Sequence, residues 1–244
     1  TIVPAALGIF GEAQSSEAFV ASINSAPAGM LLNVLFLFAW RVIPPRLPQT
    51  LALKPRLTLM TGISLSAWLV AAVAVVLTVG AASRAGVPMR VFGFATTALI
   101  LSLGVVMMLK PLPAPKGSKK VGAATLAARG LFAALSVALA VILASLGHPL
   151  VAGVAAVFPA IFLTTMVALW LAQGQAVPAG AVGPMMLGSS AVAAFCVLAG
   201  WTLPGLGAGL GTAVAWLAAV GSTTLPFALL LGRHRRGRLD SRRP

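Results

Sequence analysis

The stretch GLFAALSVALAVILASLGHPLVAGVAAVFPAIFLTTMVALWLAQGQAVPAGAVGPMMLGSSAVAAFCVLAGWTLPGLGAGLGTAVAWLAAVGSTTLPFALLLG, residues 130–232, contains no Asp, Glu, Lys or Arg. A membrane-spanning helix needs about 20 predominantly apolar residues, so this run holds several spans joined by uncharged turns.

The rest of the chain agrees. Hydrophobic residues make up 59% and charged residues 8%, with a mean hydropathy of +1.03. A soluble domain of that composition would lack the polar surface to stay in solution. In lipid the backbone must satisfy its own hydrogen bonds, which leaves helices or closed barrels. Continuous Ala/Val/Leu/Gly runs, in place of alternating ten-residue segments, predict helices. The expected fold is therefore all-α, a polytopic transmembrane bundle of about seven spans at roughly 18–40, 58–80, 89–109, 123–147, 149–172, 183–203 and 208–231. Trp40, Trp170 and Trp201 fall near the ends of these spans, as interface anchors do.

The location of the charge supports this segmentation. Alternating spans place Arg41, Arg46, Lys54 and Arg56, then Lys110, Lys116, Lys119 and Lys120, then the tail RHRRGRLDSRR on one face, and leave Arg84 and Arg90 with Glu12 and Glu17 on the other. By the positive-inside rule the C-terminus is expected on the cytoplasmic or equivalent side. The net charge of +14 is thus an orientation signal, not a nucleic-acid footprint. The lipid bilayer is the expected partner, with anionic lipid as a further partner of the basic tail. The four prolines of residues 41–56 predict an extended surface connection.

An internal repeat organises the chain. FVASINSAPAGMLLNVLFLFAW (19–40) aligns with LVAGVAAVFPAIFLTTMVALWL (150–171), Val20-Ala21 matching Val151-Ala152 and, after one gap, Pro27-Ala28 matching Pro159-Ala160. Val70-Ala71-Ala72 likewise matches Val192-Ala193-Ala194. This divides the chain into a first membrane repeat, 1–110, a basic Pro/Gly linker, 111–121, a second repeat, 122–232, and a basic tail, 233–244. Nothing in the first repeat corresponds to the span at 123–147, and a chain that opens on Thr1 instead of Met predicts a further helix ahead of it. Two sets of four spans would be parallel repeats, related by an axis along the membrane normal.

Within HPLVAGVAAVFPAIFLTTMVALWLAQG (148–174), Ala152-Gly153, Phe158-Pro159 and Gly174 stand at spacings that resemble the core signature of GlpM-type small membrane proteins. The resemblance covers residues 123–232 and implies a four-span membrane unit, here in tandem, without implying a reaction. In the first half Ser22 replaces the Gly and Ala26 the Phe. A weaker likeness connects the same region to drug/metabolite transporters.

The spans hold no acid or base at depth, so the candidate solute path falls to Asn24 and Asn33 in the first span and Thr164 and Thr165 in the fifth, together with Pro27 and Pro159. Each proline removes one intrahelical hydrogen bond and frees a carbonyl to face a cavity. The same residues serve as well for gluing helices together, at ~0.6–2 kcal/mol per polar contact. The Gly-rich PGLGAGLG (204–211) lacks phosphate-loop spacing and reads as a close helix approach or a tight turn. Cys196 is the single cysteine and excludes a disulfide within the chain. Three acidic residues, two histidines and one cysteine provide neither a metal cluster nor an acid–base pair, so no enzyme, cofactor or metal is expected. Two function classes remain: a carrier or channel for a small solute, and a non-catalytic structural subunit or assembly factor that meets membrane-protein partners or a second copy of itself.

Overall fold

A computed structural model describes residues 17–110, 112, 122–146 and 155–227 of the chain. The elements are α1 (Glu17–Val42), a 3-10 turn (Pro44–Arg46), α2 (Leu53–Arg84), α3 (Met89–Leu109), α4 (Ala123–Ser145), α5 (Ala160–Gln173), α6 (Ala176–Ala219) and a π-helical turn (Val220–Thr224). There is no strand among the described residues. Lys116, Lys119 and Lys120 of the linker, His148, Ala152, Gly153, Glu12 and the tail 233–244 lie outside them.

Four helical stretches are long and apolar enough to cross a membrane: Ile23–Arg46, Leu53–Arg84, Met89–Leu109 and Ala176–Phe227, with shorter apolar helices at Gly130–Leu143 and Ala160–Gln173. The last long stretch has 52 residues. Straight, it would measure about 78 Å, more than twice the ~30 Å hydrocarbon core. It is not straight. Gly207 sits at φ 71°, ψ 176°, a backbone region essentially closed to residues with a Cβ. Thr202 Oγ1 donates to the carbonyl of Gly211 at 2.8 Å, although residues nine apart in one helix lie about 13 Å apart. The chain folds back at Gly207, so the turn expected within 204–211 joins two limbs of α6.

Close contacts fix the helix directions. Along α3 and α6, Gly93 faces Val197, Gly104 faces Leu187 and Met107 faces Gly183, so these two helices are antiparallel. Along α1 and α3, Asn24 meets Gly93 and Arg41 reaches Met107, so these are parallel. Gly29 meets Val157 and Trp40 stacks on Trp170, so α5 also runs parallel to α1. Against α2 it is antiparallel, through Trp68 with Phe158 and Arg56 with Gln175. Association between apolar helices in lipid draws on van der Waals packing, not on solvent exclusion, and glycine lets backbones approach closely enough to gain it.

Several of the expected boundaries move: α6 begins at Ala176 and not near 183, and α2 runs on to Arg84 instead of ending near 80. Helix α2 begins at Leu53 and not near 58, because Pro55 occupies its first turn, where the missing N–H costs no helix bond. The 41–56 connection is correspondingly short and folded: Pro44 and Leu47 are buried, and Arg56 ties it down through Gln49 Oε1 (2.9 Å), Gln49 O (2.6 Å) and Leu51 O (3.0 Å). Helix α5 begins at Ala160 and not near 149, with Pro159 as its N-cap residue. The α2–α3 turn closes as a Schellman motif, Gly86 at φ 70° donating to Ser83 O (3.1 Å) and Val87 to Ala82 O (2.9 Å).

Candidate functional site

The six residues singled out for a solute path do not form one site. Asn24 is fully buried at the crossing of α1, α3 and α6. Its Nδ2 donates to Val20 O at 2.7 Å, while Oδ1 has no hydrogen-bond partner. A Cβ on Gly93 would come within 2.5 Å of the Asn24 backbone carbonyl oxygen, and one on Gly200 within 2.6 Å of Asn24 Nδ2. The residue is a wedge held between two glycines.

Thr164 and Thr165 return their hydroxyls to their own helix, Thr164 Oγ1 to Ala160 O at 2.8 Å and Thr165 Oγ1 to Ile161 O at 2.6 Å. Ser102 does the same, donating to Ala98 O at 2.8 Å. Such bonds satisfy a hydroxyl in lipid without a partner helix. Pro27 is buried inside α1. Pro159 is not inside a helix: residues 155–156 are helical, 157–159 are not, and α5 starts afterwards. The chain is therefore interrupted where α5 meets α1 and α2.

Asn33 differs from Asn24. Its Oδ1 lacks a hydrogen-bond partner, as that of Asn24 does, but the residue is 6% exposed and none of its atoms is among the nearest to any described glycine. It shares the α1, α2 and α5 part of the bundle with three buried indoles, Trp40, Trp68 and Trp170, whose Nε1 atoms are also without acceptors. Trp40 and Trp170 form an edge-to-face pair at 5.8 Å, Phe36 lies 6.2 Å from Trp40, and Trp68 meets Phe158 edge-on at 5.5 Å. Trp40 and Trp170 are thus core residues and not the interface anchors expected from their positions. Trp201 does face outward, at 58% exposure, with the Arg90 guanidinium 5.4 Å above its ring. An unpaired polar group costs roughly 1–3 kcal/mol in a dry interior, and the Asn33 oxygen on α1 and the indole N–H groups of Trp40, Trp68 and Trp170 on α1, α2 and α5 are each such a group. None of the four lines the open, mostly apolar groove along α2 between Thr58 and Ala74.

Sequence reasoning missed Gly93 and Gly200, whose role depends on an asparagine in a different helix. It also missed Trp68, and Ser64, buried and donating to Thr61 O at 2.9 Å. Among the described residues no three His, Cys, Asp or Glu side chains lie close enough to hold a metal ion.

Comparison with protein-family models, with curated proteins and with solved structures found no match for this chain.

Proposed function

We propose that the chain is a multi-pass membrane carrier of a small uncharged or anionic solute, built from two GlpM-like repeats and crossing the bilayer seven times with its basic ends on the cytoplasmic or equivalent side. The observation that carries this reading is the unsatisfied Asn33 oxygen, together with three unsatisfied indole N–H groups on α1, α2 and α5 and the interruption at 157–159, which meets α1 at Gly29 and α2 at Trp68. Irregular backbone at membrane depth is tolerated where it is enclosed by protein or lines a cavity, and substrate sites of repeat-built carriers lie at discontinuous helices between the repeats. The parallel run of α1 and α5, the proposed repeat mates, supports the duplication, as does the alternation of direction from α1 through α3 and again from α5 into the two limbs of α6.

A structural subunit is the second reading, favoured by Asn24. Its two glycine contacts are a packing device with no room for a solute. The two asparagines separate the readings. In proteoliposomes swollen osmotically with glycerol, urea or acetate, the wild type should admit at least one of them faster than empty vesicles do. Asn33→Leu should lower that rate at least tenfold while leaving the unfolding midpoint within a few degrees, since leucine matches asparagine in size and removes an unpaired oxygen. A wild-type rate equal to that of empty vesicles, or Asn33→Leu that destabilises without touching flux, removes the carrier reading and leaves the subunit.

A further inference from the structure

The end of the bundle where α1 and α3 finish and α2 starts carries Arg41, Arg46, Lys54, Arg56 and Lys110. Among the described residues no carboxylate lies at this end. The chain has three acidic residues, and the one among the described residues, Glu17, opens α1 at the far end. Two of the cations do internal work. Arg41 donates to the carbonyls of Met107 (3.3 Å) and Lys110, covering the exposed C-terminal carbonyls of α3, where a positive charge is favoured. Arg56 joins Gln49 to Gln175 (3.2 Å), holding the α1–α2 connection to the α5–α6 junction. These bonds fix backbone and neutralise nothing.

The other three face outward. Arg46 is exposed and turns one N–H back to Val42 O. Lys54 and Lys110 are exposed, and their ammonium groups make no hydrogen bond or ion pair to another described residue. Lys54 stands in the first turn of α2, which has no acidic residue there and no side-chain cap, so it adds to the positive end of a helix dipole in place of opposing it. Such an arrangement is unfavourable on its own and is relieved by an external anion. The apolar stretches Ile23–Arg46, Leu53–Arg84 and Met89–Leu109 meet the headgroup layer at this end, where lipid phosphates are the anions at hand.

We propose that this end of the bundle binds the phosphate groups of anionic phospholipids, with Arg46, Lys54 and Lys110 making the contacts and Arg41 and Arg56 supplying background charge. The proposal rests on the membrane reading and is independent of whether a solute is carried. Each basic residue near an anionic surface strengthens binding about fivefold, so three contribute on the order of a hundredfold.

The test compares the wild type with the triple variant Arg46→Gln, Lys54→Gln, Lys110→Gln, both with the tail intact. Retention of phosphatidylglycerol and of phosphatidylcholine is measured by native mass spectrometry from neutral detergent, alongside unfolding midpoints. Wild type should prefer phosphatidylglycerol and gain several degrees from it, and the triple variant should lose that affinity about a hundredfold. The single change Lys54→Gln should cost about fivefold and serves if the triple variant unfolds without lipid. Equal retention of the two lipids by the wild type, or variants that bind as the wild type does, overturns the proposal. So does an equal rise in midpoint with inorganic phosphate, which reassigns the site to a soluble anion. Partition in a detergent phase separation distinguishes the failures: recovery in the aqueous phase defeats the membrane reading itself, and recovery in detergent without lipid preference defeats this proposal alone.

Discussion

Gly93→Ala should lower the stability of the bundle by about 3 kcal/mol, the upper part of the range for overpacked cores, and no change at Asn24 should restore it. The added methyl would lie 2.5 Å from the Asn24 backbone oxygen, an atom that no side-chain substitution removes, so α1 and α3 must separate along their whole parallel contact. Gly200→Ala should destabilise to a similar degree for a different reason. Its nearest obstacle is Asn24 Nδ2 at 2.6 Å, followed by the rest of the same carboxamide. The double variant Asn24→Ala with Gly200→Ala should therefore melt within about 1 kcal/mol of Asn24→Ala alone, because the new methyl enters the space the amide leaves. Cys196 supplies the readout: it is the only cysteine, is buried at 6% exposure, and packs with Ile23, Ala199, Leu203 and Ala215, so a thiol-reactive dye reports unfolding of this crossing. Rescue of Gly93→Ala by Asn24→Ala would contradict the assignment of the clash to backbone.

The fold-back in α6 should be the other point of high sensitivity. Gly211→Val places its Cβ 2.8 Å from Thr202 O and 3.0 Å from Leu203 Cα, both main-chain atoms of the facing limb, and should cost 3 kcal/mol or more by forcing the limbs apart. Gly207→Val adds nothing to the interface, since no atom lies within 4 Å of its Cβ position, yet its φ of 71° makes any side chain strained by about 1–3 kcal/mol. Thr202→Val loses one hydrogen bond and should cost about 1 kcal/mol. The order Gly211, Gly207, Thr202 in dye-monitored melting is the signature of a hairpin. A continuous helix predicts the reverse for the glycines, because valine forms helix better than glycine does.

The helices were legible wherever charge or turn residues bracket an apolar run. The third span, between Arg90 and Lys110, was placed at 89–109 and is α3 to the residue. Proline misleads in both directions: Pro55 suggests a loop in the sequence but fits a first helical turn, and Pro159 suggests a kink within a helix but starts one. The inward faces were not legible. Helices apolar on every side carry no stripe that separates core from lipid, so Trp40 and Trp170, near helix ends, looked like interface anchors while Trp68 drew no notice. The site was half legible for the same reason. Asn24 and Asn33 are the same residue type in one helix, each with an unpaired Oδ1, and only the arrival of Gly93 and Gly200 from α3 and α6 makes the first a wedge.

In a membrane the two ends of the bundle should face opposite sides, with Arg41, Arg46, Lys110 and Gln175 at one and Gly86, Arg90 and the Gly207 turn at the other. Single cysteines at Arg46, Gln175, Gly86 and Gly205, each in a Cys196→Ala background, test it through labelling of intact cells or sealed vesicles with a membrane-impermeant maleimide. Residues 86 and 205 should label from the outside, and 46 and 175 only after the membrane is opened. Labelling of 46 and 86 from the same side would contradict it.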